Sequence, residues 1–475
     1  MINCDKIYIG GSWVPPRAAT GTFEVVDPAT EAAIATIPAC GPDDASAAVE
    51  AARRAFEAWS NTSPAERSGI LLRIAHRLKD RADEMTRTIT AEVGMPLRMC
   101  SRVQVAGPVV AWERYAARAA EFAYESNVGH SRIFQEPVGV IACITPWNYP
   151  FHQITAKVAP ALAAGCTVVL KPSEVAPLNA FLLAEVLDEA GLPPGVFNLV
   201  TGDGPAVGEA LVRHPGVDMV SFTGSTAAGR RVAALAAETV KRVSLELGGK
   251  SAAIMLPDAD AAAAVKGTVS ACFLNSGQTC SAQTRLLVPE DWYEAVKALV
   301  PAAVKGLAVG DPQAENSKLG PLVSERQRMR VLDYIRRGLE SGAELIAGGL
   351  DAPQGLERGW YVQPTVFGRV DPHSVIAQEE IFGPVLSIIC YRDEDDAVRI
   401  ANDTIYGLSG SVWSADPEKA LSVAKRMRTG QVDINGAPFN LDAPFGGYKQ
   451  SGYGRENGAF GMEEFLQLKS VQTRA

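Results

Sequence analysis

Residues Val138–Thr145, VGVIACIT, decide the fold. This short apolar run is rich in β-forming residues and ends in TPWNYP (Thr145–Pro150), whose prolines and asparagine stop a strand. Similar runs begin at Cys166 (CTVVLKPS), Val196 (VFNLV) and Val217 (VDMVSFTGS), at spacings of 28, 30 and 21 residues. An Ala-rich run after Pro150 fills the first interval, and NAFLLAEVLDEAGLPPG, a helix ending at Gly191, fills the second. Strand, helix and strand at this period predict βαβ units, hence a parallel sheet covered on both faces. Ligands of such sheets bind beyond the C-terminal ends of the strands. Thr145–Asn148, Lys171–Glu174, Thr201–Gly204 and Thr223–Ser225 stand at those ends and converge on one edge.

Outward from this core, residues 1–40 read as short strands and turns. From Asp43 the apolar residues recur every three or four positions, which predicts amphipathic helices. The second of these opens at Ser63–Pro64 and stops near Gly94 and Pro96, and a third spans Gln104–Glu121. Helical periodicity is lost over Glu121–Gln135, which is expected to be extended. A second series follows LELGGK: SAAIML as a strand, DADAAAAVKGTVSACFLN as a helix, TRLLVPE as a strand, then alternation to about Gly436. This predicts a second α/β domain, with Cys280 near the junction. The Gly-rich, then amphipathic tail from Gly446 is too short for a domain and is expected to pack on a partner subunit.

Composition narrows the function. The chain of 475 residues is 47% hydrophobic and 21% charged, which fits a folded chain of two or more domains. A net charge of −9 offers no basic footprint for nucleic acid. Between Pro137 and Leu170 Lys157 is the only charge, yet Pro146, Pro150, Pro160 and Gly165 leave no apolar run long enough for a bilayer. No signal peptide is read at MINCDKIYIGG. Eight dispersed cysteines without a C-x-x-C pair, and five dispersed histidines, suggest reduced thiols in a cytoplasm and no metal site.

Cys280 lies in CFLNSGQTCS (Cys272–Ser281), a polar, Gly-containing setting unlike that of a buried structural thiol. Glu246, in SLELGGK, sits between apolar residues; partial burial would raise its pKa toward that of a general base, although a salt-bridged structural glutamate fits equally. Asn148 could donate an amide N–H to an oxyanion or could simply form the turn. GSTAAG (Gly224–Gly229), between a strand and a helix, suits a pyrophosphate cradle. GDGPAVG (Gly202–Gly208) has the wrong glycine spacing for a standard dinucleotide motif. Thiol, carboxylate, amide and nucleotide site together suit oxidation of an aldehyde through a thioester.

TPWNYP, LKPSE, FTGS, LELGGK, NSGQTC, EEIFGPV and PFGGYKQSG occur in that order, and from about residue 5 onward the chain resembles the NAD(P)-dependent aldehyde dehydrogenases of the bacterial, non-acylating type. The resemblance implies an α/β fold with a Rossmann-type cofactor domain (1–116 and 137–248), an α/β catalytic domain (249–445) and small β bridging segments (117–136 and 446–475), assembled as dimers or tetramers. It implies Cys280 as nucleophile, Asn148 and the Cys280 N–H as oxyanion donors, Glu246 as the base for hydrolysis, and Lys157 with Glu456 as a proton relay. It places Lys171 and Glu174 at the adenosine ribose, and Gly204 and Pro205 beside the adenine. Thr145 joins the cofactor set, with Trp147, Gly224 and Ser225 by the pyrophosphate, Glu380 at the nicotinamide ribose and Phe382 against the cofactor. A carboxylate at Glu174 would bond two ribose hydroxyls and repel a 2′-phosphate, so NAD is expected over NADP.

The implied pocket comprises Tyr149, His152, Gln153, Ala156, Leu274, Thr279, Ser281, Phe439 and Phe445. Succinic-semialdehyde enzymes of the family carry Arg, and betaine-aldehyde enzymes Trp, where this chain has Ala156. A carboxylate clamp and a complete cation box are therefore not expected. A medium- or long-chain aliphatic or an aromatic aldehyde is the expected substrate. Gln467 stands where some members have a glutamate that ties Arg242 and Arg455. A CoA-acylating enzyme, a non-catalytic descendant of the fold and a cofactor-free cysteine hydrolase are the competing readings; Glu246 speaks against the first, the retained thiol, carboxylate and amide against the second, and the nucleotide motifs against the third.

Overall fold

The computed structural model describes residues 2–17 and 19–474. Its first large sheet has eight strands. Five of them are parallel, in the spatial order Arg242–Glu246, Met219–Thr223, Val140–Ile144, Thr167–Lys171, Phe197–Leu199. The strands earliest and fourth in sequence among these five lie side by side, so the winding reverses between Val140–Ile144 and Met219–Thr223. That reversal opens a crevice at the C-terminal edge, where a Rossmann-type sheet binds its ligand.

The apolar run that sets this fold is buried on both faces. Ile141 and Cys143 pack into one core with the helices Pro64–Asp80, Pro150–Ala164 and Leu178–Glu189. Val140, Ala142 and Ile144 pack into another, with Pro42–Ser60 and Thr226–Ala236. Alternate side chains of a strand point to opposite faces, so covering both faces requires an unbroken apolar run.

The second large sheet has seven strands, with parallel pairing through Thr365–Gly368, Val385–Tyr391, Arg285–Pro289, Ala252–Met255, Gly410–Trp413 and Asp433–Ile434. It too is packed on both faces, Ile254 and Leu287 to one side and Ala253 and Leu286 to the other. A small antiparallel sheet joins Glu125–Val128, Ser131–Pro137 and Leu466–Gln472. Its strand 125–128 and the first five residues of 131–137 lie within the stretch that lost helical periodicity, Glu121–Gln135.

Three local features depart from the sequence expectations. The second helix divides at Arg81, whose guanidinium bonds Glu84 in the following turn and Glu185 of the helix Leu178–Glu189. The third begins as a π-helical turn, Cys100–Ala106, before the regular helix Gly107–Glu121. Gly452–Tyr453 of the tail joins the edge of the first sheet beside Arg242–Glu246 instead of the small sheet.

Gly452 has φ +114°, and a Cβ there would lie 1.9 Å from the Leu245 carbonyl oxygen. Gly452→Ala is therefore expected to cost on the order of 2 kcal/mol of stability in urea unfolding, through backbone strain and overpacking together. It should also depress activity, because its pairing partner is Glu246.

Candidate active site

The helix Ala261–Phe273 ends in a tight turn that delivers Cys280. Asn275, Ser276 and Gly277 are all left-handed, with φ of 52°, 55° and 75°. Two consecutive non-glycine residues in this region are unfavourable, and surrounding bonds hold them there. Ser276 Oγ donates to Gly320 O at 2.7 Å, and Gln278 Nε2 donates to Asn275 O at 3.1 Å. Gln278 Oε1 accepts from Val323 N–H at 2.9 Å. Gly277 is required here, since a Cβ would fall 2.1 Å from Gly383 O.

Cys280 is half-buried. Burial, then the carboxylates of Glu380, Glu246 and Glu456, push its thiol up to about 12. Asn148 is buried directly beside this turn, and its Nδ2 donates to Gln278 O at 3.0 Å. Glu246 ends the strand Arg242–Glu246 and is 2% exposed. Neither carboxylate oxygen has a protein partner, so the salt-bridged alternative does not hold. Burial first, and then Glu456, raise its pKa well above the ordinary carboxylate value. Gly446 leaves room for it, because a Cβ there would stand 2.7 Å from Glu246 Oε1. Lys157, on the helix Pro150–Ala164, and Glu456 form a buried ion pair close by.

A cavity of about 490 Å³ lies at the sheet's reversal and reaches Cys280. Trp147, Asn148, Glu174, Gly224, Ser225, Glu380 and Phe382 of the sequence-derived set line it. Ser225 caps the helix Thr226–Ala236, its Oγ accepting from Ala228 N–H at 3.2 Å. Gly224 leaves no space for a side chain, because a Cβ would lie 2.6 Å from the Phe222 ring. A helix N-terminus behind a bare backbone suits a pyrophosphate. Glu380 Oε1 accepts from Gly249 N–H at 3.0 Å, and burial raises its pKa to about 7. The edge of Trp147 meets Phe382 at 5.4 Å between ring centroids. These residues fit a dinucleotide with its ribose on Glu380 and its pyrophosphate over Ser225.

Other expected residues sit elsewhere. Lys171 is buried 3.7 Å from Glu174, its Nζ donating to Pro172 O; burial lowers its pKa. Thr145 is buried, with its hydroxyl unpartnered within the protein. Gly204 and Pro205 open a π-helical turn capped by Asp203 and do not line the cavity. Gln153 is buried and accepts from Thr223 Oγ1 at 3.2 Å, so its carbonyl is engaged within the fold. On the substrate side, Tyr149 and Thr279 share a 2.7 Å hydrogen bond. The His152, Phe439 and Phe445 rings form a chain, with centroids 6.3 and 5.8 Å apart. Burial lowers the His152 pKa. Ala156 is buried, while Leu274 and Ser281 are half-buried.

Several contributors were not found from the sequence. Gln327 Nε2 donates to Phe382 O at 2.7 Å, and Arg330 Nη2 donates to Glu380 O at 2.7 Å. Both come from the helix Glu325–Glu340, and both line the cavity. The Ser324 cap, accepting from Gln327 N–H, was a visible sign of that helix, but nothing tied it to Glu380. Gln104 Nε2 donates to Asn148 O at 3.2 Å, as does Asn275 Nδ2 at 2.9 Å. Arg242 donates to Leu466 O and Arg455 to Gly447 O and Gly454 O, while Arg455 N–H reaches Glu464. Glu464 is thus the carboxylate near both arginines, with Gln467 on the adjoining strand. No group of residues suited to a metal ion occurs among the described residues.

A half-buried thiol, an unpaired buried carboxylate and an amide around a dinucleotide-type crevice define an oxidoreductase that works through a cysteine. Residues 13–471 match the model of the aldehyde dehydrogenase family, to which this chain belongs. A Pseudomonas protein named 3-succinoylsemialdehyde-pyridine dehydrogenase is 51% identical, over 99% of both chains. A mutant aldehyde dehydrogenase C of Pseudomonas syringae, solved with NAD+ and octanal, is 49% identical with a TM-score of 0.98, covering 99% of this chain and 96% of that one. The Mycobacterium tuberculosis aldehyde dehydrogenase solved with NAD+ is 45% identical with a TM-score of 0.97, covering 100% and 99%.

The raised thiol pKa has a definite sign. Without cofactor, the thiolate fraction grows with pH throughout the neutral range, so iodoacetamide labelling of Cys280 should rise about tenfold per pH unit. Peptide mass spectrometry should show no plateau up to about pH 10; a plateau near about pH 8 would contradict the account.

Proposed function

We propose that this protein oxidises a medium- or long-chain aliphatic, or an aromatic, aldehyde to the carboxylic acid with NAD. The single observation that carries the reading is that Cys280 and Asn148 line the crevice while the unpaired Glu246, next to Leu247 of its wall, is near enough to raise the Cys280 pKa. Ionised Cys280 Sγ attacks the aldehyde carbon and forms a C–S bond, giving a thiohemiacetal oxyanion. The Asn148 amide and the Cys280 backbone N–H hold that oxyanion. NAD, when bound, supplies the hydride acceptor. After hydride loss a thioester remains on Cys280. Glu246 takes a proton from water, the water oxygen attacks the acyl carbon, and the C–S bond breaks to release the acid and the thiolate. Lys157 and Glu456 relay the proton away from Glu246.

Cofactor choice rests on Glu174 at the cavity wall, where a carboxylate accepts from ribose hydroxyls and repels a 2′-phosphate. Relatives solved with NAD+ support the same choice. Lys171 joins Glu174 at the ribose, Gly204 and Pro205 lie beside the adenine, and Thr145 completes the cofactor set. In the division of labour proposed here, residues 1–116 and 137–248 hold the cofactor, 249–445 carry the thiol, and 117–136 with 446–475 join subunits as a dimer or tetramer. Exposed Val128 and Leu468 on the small sheet support that last role. The eight free cysteines support a cytoplasmic location, and no helix among the described residues is long and apolar enough to cross a membrane.

The chain of His152, Phe439 and Phe445 rings near Tyr149, with small Ala156 in place of a clamp, supports this substrate class. The octanal-bound relative and the relative named for a pyridine semialdehyde support both the aliphatic and the aromatic option. NADH formation at 340 nm should give kcat/KM for octanal, decanal or benzaldehyde above that for succinic semialdehyde. A preference of about a hundredfold for the charged semialdehyde would overturn the substrate class. NAD should exceed NADP by about tenfold or more in kcat/KM, since one lost charge-assisted contact is worth that much; parity would refute the Glu174 assignment. Added CoA should yield no acyl-CoA.

A further inference from the structure

We propose that Gln104 is a positioning residue of this reaction: from the π-helical turn Cys100–Ala106 it fixes the Asn148 peptide, and with it the direction of the Asn148 amide. The inference rests on the reading of Asn148 as the oxyanion donor and goes further by naming what holds that donor in place.

Asn148 lies between the strand Val140–Ile144 and the helix Pro150–Ala164, in a segment without regular structure. Neither a sheet ladder nor a helix fixes its peptide plane. Two side chains do so instead. Gln104 Nε2 and Asn275 Nδ2 both donate to its carbonyl oxygen, at 3.2 and 2.9 Å, from opposite parts of the chain. The Asn148 side chain is then referenced to the nucleophile, because Nδ2 donates to the carbonyl of Gln278, two residues before Cys280. An amide nitrogen carries two hydrogens. One is committed to Gln278 O, which leaves the other for the developing oxyanion. Rotation of the Asn148 carbonyl would break both clamps and swing that hydrogen away.

The placement of Gln104 depends on local helix geometry. It is fully buried in a π-helical turn that feeds the regular helix Gly107–Glu121. Inserting a residue into an α-helix rotates everything before it by about 100°. The turn therefore brings a polar side chain out of helical phase and onto the active-site loop. Gln104 Oε1 finds no protein partner, so the contact the residue makes through its amide nitrogen is the one that accounts for a glutamine in this core.

The test is a double-mutant cycle read by the rate of the first turnover, with NAD and octanal in stopped flow. Gln104→Met preserves shape and removes the donor. It should slow the first turnover about tenfold or more, as misplacing a catalytic group does. The KM for NAD should stay within about twofold, since the cofactor wall is untouched. In an Asn148→Ala background the same change should add less than about twofold, because the group being positioned is gone. Gln104→Ser, smaller and still polar, should behave likewise and serves if the methionine does not fit. An equal slowing in both backgrounds would mark Gln104 as merely structural and overturn the proposal, as would no slowing in the parent. That result leaves the oxyanion assignment standing. An Asn148→Ala enzyme as fast as the parent would instead overturn the assignment itself, and the positioning role with it.

Discussion

The site depends on one backbone constraint, the left-handed run Asn275–Ser276–Gly277. It places Gly277 against the Gly383 carbonyl so closely that no side chain fits, and thereby locks the loop of the thiol to the segment carrying Glu380 and Phe382. The loop of the thiol is consequently packed directly against one side of the cavity wall. The same run turns Asn275 back onto Asn148, which belongs to the other sheet. Strain at these residues is offset by bonds to Gly320, Val323 and Asn148, and each bond also fixes a part of the site.

Burial and charge then set the order of events. Burial, Glu380, Glu246 and Glu456 raise the cost of ionising Cys280, while burial and Glu456 raise that of Glu246. A thiolate at Cys280 is therefore costly while Glu246 is ionised. The proposed reaction does not ask for that: the thiolate is needed to form the C–S bond, and the carboxylate is needed after that bond has formed and the sulfur charge is gone. Lys157 and Glu456 form a buried ion pair whose charges both act on Glu246, which suits the proposed relay.

The fold was legible wherever burial on two faces forced unbroken apolar runs, as at Val140–Ile144 and Thr167–Lys171. The ends of those strands followed, and with them Trp147, Glu174, Gly224 and Ser225. Cys280 was legible as a thiol in a polar, Gly-containing loop and Glu246 as a carboxylate between apolar residues, while Asn148 alone could equally have been a turn residue and its role came from the family resemblance. Gln104, Gln327 and Arg330 were not legible, because they are ordinary helix residues whose partners are backbone carbonyls far away in sequence. Arg81, at the break, pairs with Glu185 and Glu189 of another helix, and periodicity does not register such pairs. The π-helical turn that places Gln104 has no counterpart in the spacing of apolar residues and so was not legible either. Gln467 illustrates a different limit: its neighbours Arg242 and Arg455 bond backbone carbonyls beside Glu464, a carboxylate three residues away that spacing alone did not single out.

The central claim is that Cys280 carries the acyl group and Glu246 releases it. The direct measurement is peptide mass spectrometry of Glu246→Gln after mixing with NAD and octanal. The account predicts one octanoyl group on the peptide containing Cys280, with one NADH formed per subunit and little thereafter. NADH formation without acylation of Cys280, or acylation of another residue, would contradict it.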